Sequence, residues 1–315
     1  MPDLSVVSVS YNGCALLRQT LQSVFDVNQD LEYIVIDNAS QDESVAMVRA
    51  EFPQVTLIEN ADNVGAAKAY NQGVRLSHGK YVVFLNPDTV MQEDILSGMV
   101  TFMEAHPQAG AASPRVLWPD GRFQLGVGGF SPSVLSFVGH FWFLDRLSGG
   151  RVPSFLVQQR YLQGGPAELD WLGAVCMIAR RSMFDEVGLY DERFFIYAED
   201  AEWCERVHRA GYTIHYLPQY DIYHYLGGSS KAAPDQVPQS TLWLDSLDRY
   251  LRLYNGRAKA AVLEGIALTG FLVRLALYAG LCLVRRRPYD CGKTQQMRKY
   301  VWALWAKMRQ ADRSG

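Results

Sequence analysis

Three observations on the first ninety residues predict a doubly wound α/β sheet with helices on both faces. Short, near-continuously apolar runs alternate with stretches of helical periodicity, and each run ends in a cluster of Asn, Asp or Ser. The connecting stretches are also long enough for right-handed crossovers between parallel strands. Residues 4–9 form the first such strand, followed by a helix over 15–25 that turns Leu16, Leu17, Leu21 and Val24 inward. Residues 31–36 are the second strand. Ser40 followed by Glu43 reads as a capping box opening a helix through Val45, Val48 and Phe52. Residues 55–59 predict a third strand, and 64–77 a third helix with Gly79 as its C-terminal stop. Residues 81–85 are the fourth strand.

Beyond this the pattern changes twice. Residues 118–170 are rich in glycine and in the aromatics Phe123, Phe130, Phe137, Phe141, Trp142 and Phe143. That stretch fits either a mobile lid or an extra amphipathic helix packed on the core. From Gln236 onward the chain reads as wholly helical: Leu242, Leu244, Leu247, Leu251 and Leu253 lead into residues 265–284, apolar apart from Arg274. Arg285-Arg286-Arg287 follows, and Val301, Trp302, Leu304 and Trp305 stand later among lysines and arginines. A spanning helix needs about 20 apolar residues, but a central arginine costs roughly 2.5–3.5 kcal/mol on insertion. The expectation is therefore helices that dock against a membrane surface, with arginines on anionic head groups. A helical extension closing a homodimer is the other reading.

The 315 residues, 49% hydrophobic and 20% charged, suffice for one large domain plus an extension. A net charge of -3 gives no basic face for nucleic acid. The cysteines Cys14, Cys176, Cys204, Cys282 and Cys291 form no CxxC pair and are odd in number, which predicts free thiols in a reducing compartment. Strand-like sequence starts with no charged-then-apolar leader, so the expected location is cytoplasmic.

Ligands of such sheets bind beyond the carboxyl ends of the strands. Those ends carry Ser10-Tyr11-Asn12, Asp37-Asn38-Ala39, residues 60–63 and Asn86-Pro87-Asp88. Turn residues end most strands; the signal here is their concentration on one edge. Asp88 suits magnesium or manganese, which bind through one or two carboxylates plus substrate phosphates. Asn86 stands where a second carboxylate would strengthen that site. If 199–210 is a helix, Asp200, Trp203, Cys204 and Val207 share one face, with Glu199 at its margin. Glu202, Glu205, Arg206 and Arg209 then form a solvated side that also carries His208. An inward carboxylate is costly without a task or partner. The helix N-terminus favours its charged form while apolar neighbours raise its basicity; an N-cap role also fits. His224, ahead of Gly227-Gly228, offers an imidazole for manganese beside a backbone able to approach phosphate.

Taken in order, these motifs resemble an inverting glycosyltransferase of family 2 with the GT-A fold, in the rhamnosyltransferase-like branch that builds bacterial polysaccharides. The matching stretches are Val7-Ser8-Val9-Ser10-Tyr11-Asn12, Val35-Ile36-Asp37-Asn38-Ala39-Ser40, Asn63-Val64-Gly65 through Asn71-Gln72-Gly73, and Leu85-Asn86-Pro87-Asp88. Trp171-Leu172-Gly173-Ala174 and Phe194-Phe195-Ile196-Tyr197-Ala198-Glu199-Asp200 complete the set. The resemblance implies a GT-A catalytic domain over 1–235, with 118–170 as acceptor-side insertion or lid, and a C-terminal helical region over 236–315. It implies that Asp37 contacts the donor's base, with Ser10, Tyr11 and Asn12 lining that pocket. Asn63, Gly65, Asn71 and Asn86 would approach the nucleotide and diphosphate. Asp88 and His224 would hold Mn2+ or Mg2+, Asp200 would be the general base with Glu199 beside it, and Trp171 and Gly173 would shape the sugar and acceptor side. Asn86 departs from the family's usual DxD motif.

The implied reaction transfers L-rhamnose from dTDP-rhamnose to a saccharide or lipid-linked saccharide at the cytoplasmic face of the inner membrane. A UDP-sugar donor carrying galactose, galactofuranose or N-acetylglucosamine is the alternative. A dehydrogenase or methyltransferase would share the sheet, but Tyr11-Asn12-Gly13-Cys14 stands where GxGxxG belongs. A non-catalytic, membrane-docked scaffold of polysaccharide assembly would use the aromatic loop and basic helices, and it leaves Asp200 unexplained.

Overall fold

Strands covered on both faces must be apolar on both sides, and the first half of the chain folds on that rule. A computed structural model describes residues 3–149, 151–159, 165–225 and 241–311. In chain order the elements begin β1 (Leu4–Ser10), α1 (Cys14–Val27), β2 (Glu32–Asp37), α2 (Ser44–Glu51), β3 (Thr56–Glu59), α3 (Ala66–Leu76) and β4 (Tyr81–Leu85). Next come β5 (Thr89–Val90), α4 (Ile95–Ala105), β6 (Ala109–Leu117), β7 (Gly128–Gly129), α5 (Val134–Phe141) and α6 (Leu144–Leu147). Then follow β8 (Ala167–Glu168), β9 (Trp171–Leu172), β10 (Cys176–Arg180), α7 (Arg181–Glu186), α8 (Glu199–Arg209) and β11 (Thr213–His224). The helices α9 (Leu242–Arg285) and α10 (Pro288–Ala311) end the described chain. Two compact units result: Met1–Gly129 with Val157–Ser230, and Phe130–Leu156 with Lys231–Gly315.

The first unit is built on a nine-stranded sheet in the order β3-β2-β1-β4-β10-β6-β11-β5, with β8 alongside β11. Strands β3, β2, β1 and β4 run parallel, as do β6 and β11, while β10 runs antiparallel between β4 and β6. This is the mostly parallel, helix-flanked sheet that the sequence predicts. On one face Val6, Tyr33, Val35 and Val83 pack with Leu17 and Leu21 of α1, Met47 of α2 and Met99 of α4. On the other, Phe84 packs edge-on to Tyr70 and stacks on Tyr190 at 4.9 Å, and Phe184 stacks on Trp203. Helix α3 comes so close to β1 that a Cβ at Gly73 would lie 2.2 Å from Val7 Cγ1.

Two predicted helix boundaries are corrected. Ser40 and Glu43 form no capping box: the Ser40 hydroxyl accepts from Asn12 N, and Asp42 accepts from Ser44 N at the start of α2. Gly79 is not the stop of α3, which ends at Leu76 with Ser77 after it. Gly79 instead lets the chain pass β1, since a Cβ there would lie 2.7 Å from Ser5 N.

The second unit divides the 118–170 segment, drawing residues 130–156 together with the C-terminal helices. Phe137 and Phe141 are buried there, and Phe141 meets Phe271 edge-on at 5.3 Å. Tyr300 of α10 contacts both Phe271 and Trp243 of α9. Gly256, at φ 72° and ψ 166°, breaks α9. Arg274 donates to the His140 carbonyl at 2.6 Å and lies 4.5 Å above the Phe143 ring. The expectation of five free thiols is also corrected: a disulfide joins Cys282 to Cys291, because the turn between α9 and α10 brings their Cα atoms within 4.9 Å. Cys14, Cys176 and Cys204 are free.

Candidate active site

The carboxyl edge of β1, β2 and β3 is held by a lattice of short polar side chains. Asp37, 2% exposed, accepts from Ser40 N at 3.0 and 3.2 Å, and Asn12 Oδ1 accepts from Gln41 N at 2.7 Å. The loops after β1 and β2 are thereby locked together, with Asn12 and Ala39 in the left-handed region at φ 53° and 69°. Asn38 donates to Asn63 Oδ1 and accepts from Val64 N and Asn60 Nδ2. Asn63 in turn accepts from Gly65 N. The Ser10 hydroxyl, fully buried at the end of β1, has no hydrogen-bond partner among the described residues. Tyr11 beside it is 38% exposed.

Asn71 is oriented differently from the sequence expectation. Its amide donates to the Tyr190 carbonyl and to Glu192, and accepts from Tyr190 N. The side chain clips α3 to the segment ahead of α8. Gly65, at φ 85°, serves a related contact: the Phe195 carbonyl accepts from Ala66 N, and a Cβ at Gly65 would stand 2.6 Å from that oxygen.

The second cluster follows from strand register. Because β5 pairs antiparallel with β11 through Thr89 and His224, Asp88 and His224 become neighbours although 136 residues separate them. His224 Nε2 lies 3.0 Å from Asp88 Oδ1 and 3.3 Å from Asn86 Nδ2, while Nδ1 lies 2.8 Å from the Gln124 carbonyl oxygen. An amide oxygen only accepts, so Nδ1 carries a proton and donates to Gln124, which turns Nε2 toward the Asp88 carboxylate. Adjacent ligands of an octahedral ion at ~2.1 Å stand about 3 Å apart, so the pair fits Mg2+ or Mn2+. No group of three or more His, Cys, Asp or Glu able to hold a metal occurs among the described residues. Two donors suit an ion that completes its shell with diphosphate and water. The glycines after His224 lie outside the described residues.

Gln124 carries no signal in the sequence, yet it is 1% exposed and sets the imidazole's orientation. Such outer contacts are worth about 10–100-fold in metal affinity. Gln124→Leu is expected to weaken Mn2+ binding by that factor, measured by calorimetry with a nucleoside diphosphate present, and Gln124→Glu to retain it. Unchanged affinity in the leucine variant would remove Gln124 from the site.

The third cluster opens α8. Tyr197 and Ala198, at φ 67° and 64°, are consecutive left-handed residues just before Glu199 and Asp200, a conformation that costs about 1–2 kcal/mol for each residue with a Cβ. Asp200 Oδ2 accepts from Ala174 N at 3.1 Å and Oδ1 from Ala201 N at 2.7 Å. Gly173 lies beside this carboxylate, and a Cβ there would stand 3.7 Å from Oδ2, an ordinary contact, so the approach does not require the glycine. Trp171, nearly buried, holds this stretch through pairing of β9 with β7.

The helical-wheel reading of this helix needs three corrections. Glu199 is more buried than Asp200, at 5% exposure, and its Oε2 has no partner among the described residues. Glu202 is not solvated: it pairs with Arg206, whose guanidinium also donates to the carbonyls of Val187, Gly188 and Leu189. His208 is half-buried between the carbonyls of Tyr212 and Leu169. Asp200 lies inside the helix rather than at its N-cap, which is Ala198.

Burial raises both acids. Glu199 is pushed up to about 8 by burial first and then by the Asp200 charge. Asp200 is raised by burial, and the N–H groups of Ala174 and Ala201 oppose that rise. Of the two, Asp200 is the one whose charged form backbone donors favour. Tyr70 connects the clusters: its hydroxyl donates to Asn86 Oδ1, and burial followed by the charges of Glu199, Asp88 and Asp200 raises its phenol. Sequence reasoning missed Tyr70, which reads as an ordinary residue of α3.

A family model described as glycosyl transferase family 2 matches residues 5–160. An N-acetylglucosaminyl-diphospho-decaprenol L-rhamnosyltransferase of Mycobacterium tuberculosis (strain CDC 1551 / Oshkosh) is 26% identical over 249 residues, 73% of this chain and 78% of that protein. Rhamnosyltransferase WbbL of Escherichia coli (strain K12) is 28% identical over 167 residues, 52% of this chain and 59% of that one. Among solved structures, mannosyltransferase PcManGT from Pyrobaculum calidifontis, in complex with GDP-Man and Mn2+, superposes with a TM-score of 0.56 at 18% identity, covering 98% of this chain and 87% of its own. GalNAc-T7 with UDP, GalNAc and Mn2+ gives 0.59 at 18% identity, covering 80% of this chain and 48% of its own.

Proposed function

The chain belongs to glycosyl transferase family 2, in its rhamnosyltransferase-like branch, and from this we propose that it transfers L-rhamnose from dTDP-rhamnose to a hydroxyl of a lipid-linked saccharide. That it is a glycosyltransferase excludes the scaffold reading. One observation carries the mechanism: a carboxylate held by two backbone N–H groups, Asp200, whose charge, like that of Asp88, acts on the Tyr70 phenol.

Asp200 takes the proton of the acceptor hydroxyl as that oxygen forms a bond to the anomeric carbon. The bond from that carbon to the diphosphate breaks on the opposite face, its electron pair leaving with the phosphate oxygen, so configuration inverts. Asp88 and His224 would hold the divalent ion, with Asn86 and Gln124 beside the imidazole. When bound, that ion neutralises charge on the departing diphosphate. Ser10, Tyr11, Asn12 and Asp37 receive the nucleoside, Asn63 and Gly65 shape the loop beside the diphosphate, and Trp171 and Gly173 border the sugar. Asn71 acts indirectly, by fixing the segment that leads to Glu199 and Asp200. The acceptor class follows the name of the mycobacterial relative. Peripheral membrane contact through the C-terminal helices, at the cytoplasmic face of the inner membrane, belongs to the same proposal, with a homodimer as its competitor.

A thermal-shift comparison of dTDP, UDP and GDP, each with Mn2+, tests the donor. The expected result is the largest rise in melting temperature with dTDP. A larger rise with UDP would replace rhamnose by a UDP-sugar, and no rise with any of the three would remove the nucleotide site.

A further inference from the structure

An apolar 18-residue stretch of α9 has a mean hydropathy of 1.9, yet only 17% of it is buried. A helix this apolar is ordinarily core. Here Leu272, Val273, Leu277, Leu283 and Val284 are 47–84% exposed. Folded soluble chains rarely leave so large an apolar face bare. Arg274 does not interrupt it, because its guanidinium is turned inward onto His140 and Phe143. The face stays free of charge as far as the exposed Arg285, Arg286 and Arg287. Helix α10 adds a groove of about 970 Å3 lined by Arg298, Lys299, Trp302 and Trp305.

Charge decides what covers this face. Residues 242–315 hold 14 Lys and Arg against 5 Asp and Glu, while the rest of the chain holds 16 against 28. A second copy meeting the first through this face would bring two basic surfaces together. An anionic bilayer brings the opposite sign.

We propose that this face of the second unit seats on an anionic lipid bilayer. Leu277 and Val284 enter the acyl boundary, Arg285 to Arg287 with Arg298 and Lys299 meet phosphate head groups, and Trp302 and Trp305 lie at the interface. The inference sharpens the membrane contact named above and rests on it for partner class, but it does not depend on the transfer chemistry.

The test is sedimentation of the full chain with phosphatidylcholine vesicles, with and without phosphatidylglycerol. The expected result is binding that requires phosphatidylglycerol and weakens with salt. A Leu277→Asp/Val284→Asp variant should lose at least about tenfold in affinity. Replacing Arg285, Arg286 and Arg287 by glutamate should cost on the order of 100-fold. Both variants change exposed positions, so the nucleotide thermal shift should be retained. Equal binding to neutral and anionic vesicles, or undiminished binding by the Asp variant, would overturn the proposal. So would a dimer in sedimentation velocity that the Asp variant dissociates, which would assign the face to a second copy. Vesicle binding without any nucleotide thermal shift would count against the transfer reading alone.

Discussion

Asp200→Asn is expected to lower the rate of sugar transfer by about 10²–10⁴-fold, the range over which a positioned general base contributes. The asparagine oxygen can still accept from Ala174 N or Ala201 N, so the start of α8 keeps its shape. What disappears is the basic electron pair that receives the acceptor's proton. Affinity for the nucleoside diphosphate should stay within about twofold, because that part of the donor faces other residues. Near-normal turnover in a single-turnover assay would end the assignment. The wild-type rate should fall on acidification, since Asp200 works only when ionised and burial raises its pKa. Glu199 contributes to stability rather than to this limb. Its pKa rises from 4.5 to about 8, so between those values the folded state holds a proton that the unfolded state releases. Its contribution is therefore full below pH 4.5 and is lost as pH rises toward 8. Glu199→Gln should flatten that loss in a pH series of denaturant melts while retaining more transfer than Asp200→Asn.

Asp88→Ala and His224→Ala should each weaken Mn2+-dependent nucleotide binding on the order of 100-fold or more, since even outer contacts to a metal are worth about 10–100-fold. The fold should survive the first change. Asp88 contributes to strand pairing through its carbonyl, which accepts from Tyr225 N, and alanine keeps that bond. Calorimetry with and without EDTA separates the effects: the loss should appear with Mn2+ and vanish without it. Equal affinity of wild type and Asp88→Ala in Mn2+ would take Asp88 out of the site.

The strands of the first ninety residues are legible in the sequence because burial on both faces leaves an unmistakable apolar run, as in residues 81–85. The residue types at the strand ends are legible for a related reason, since every loop there must satisfy its own polar backbone. The cross-chain pairings are not. Nothing in a single sequence states that β5 pairs with β11 at Thr89 and His224, or that Gln124 stands behind that histidine. Glu199 was misjudged because a helical wheel assumes that neighbours lie across the helix. In the first turn of α8 they come from the loop that enters it. Asn71 was misjudged because a buried amide in a familiar motif serves the backbone as readily as it serves a ligand. The disulfide escaped because an odd cysteine count says nothing about two residues nine apart across a helical turn.

The second unit is discontinuous in the chain, and this bears on synthesis. When a ribosome has delivered residue 230, the partners of Phe137 and Phe141 on α9 are still unmade. The nascent protein therefore carries an unshielded apolar insert until the ribosome has read on to Arg285, the end of α9, at about 5–20 residues per second. A truncation that stops after the catalytic sequence makes that interval permanent. Shortening this enzyme to its first unit thus means removing residues 130–156 as well as the C-terminal helices.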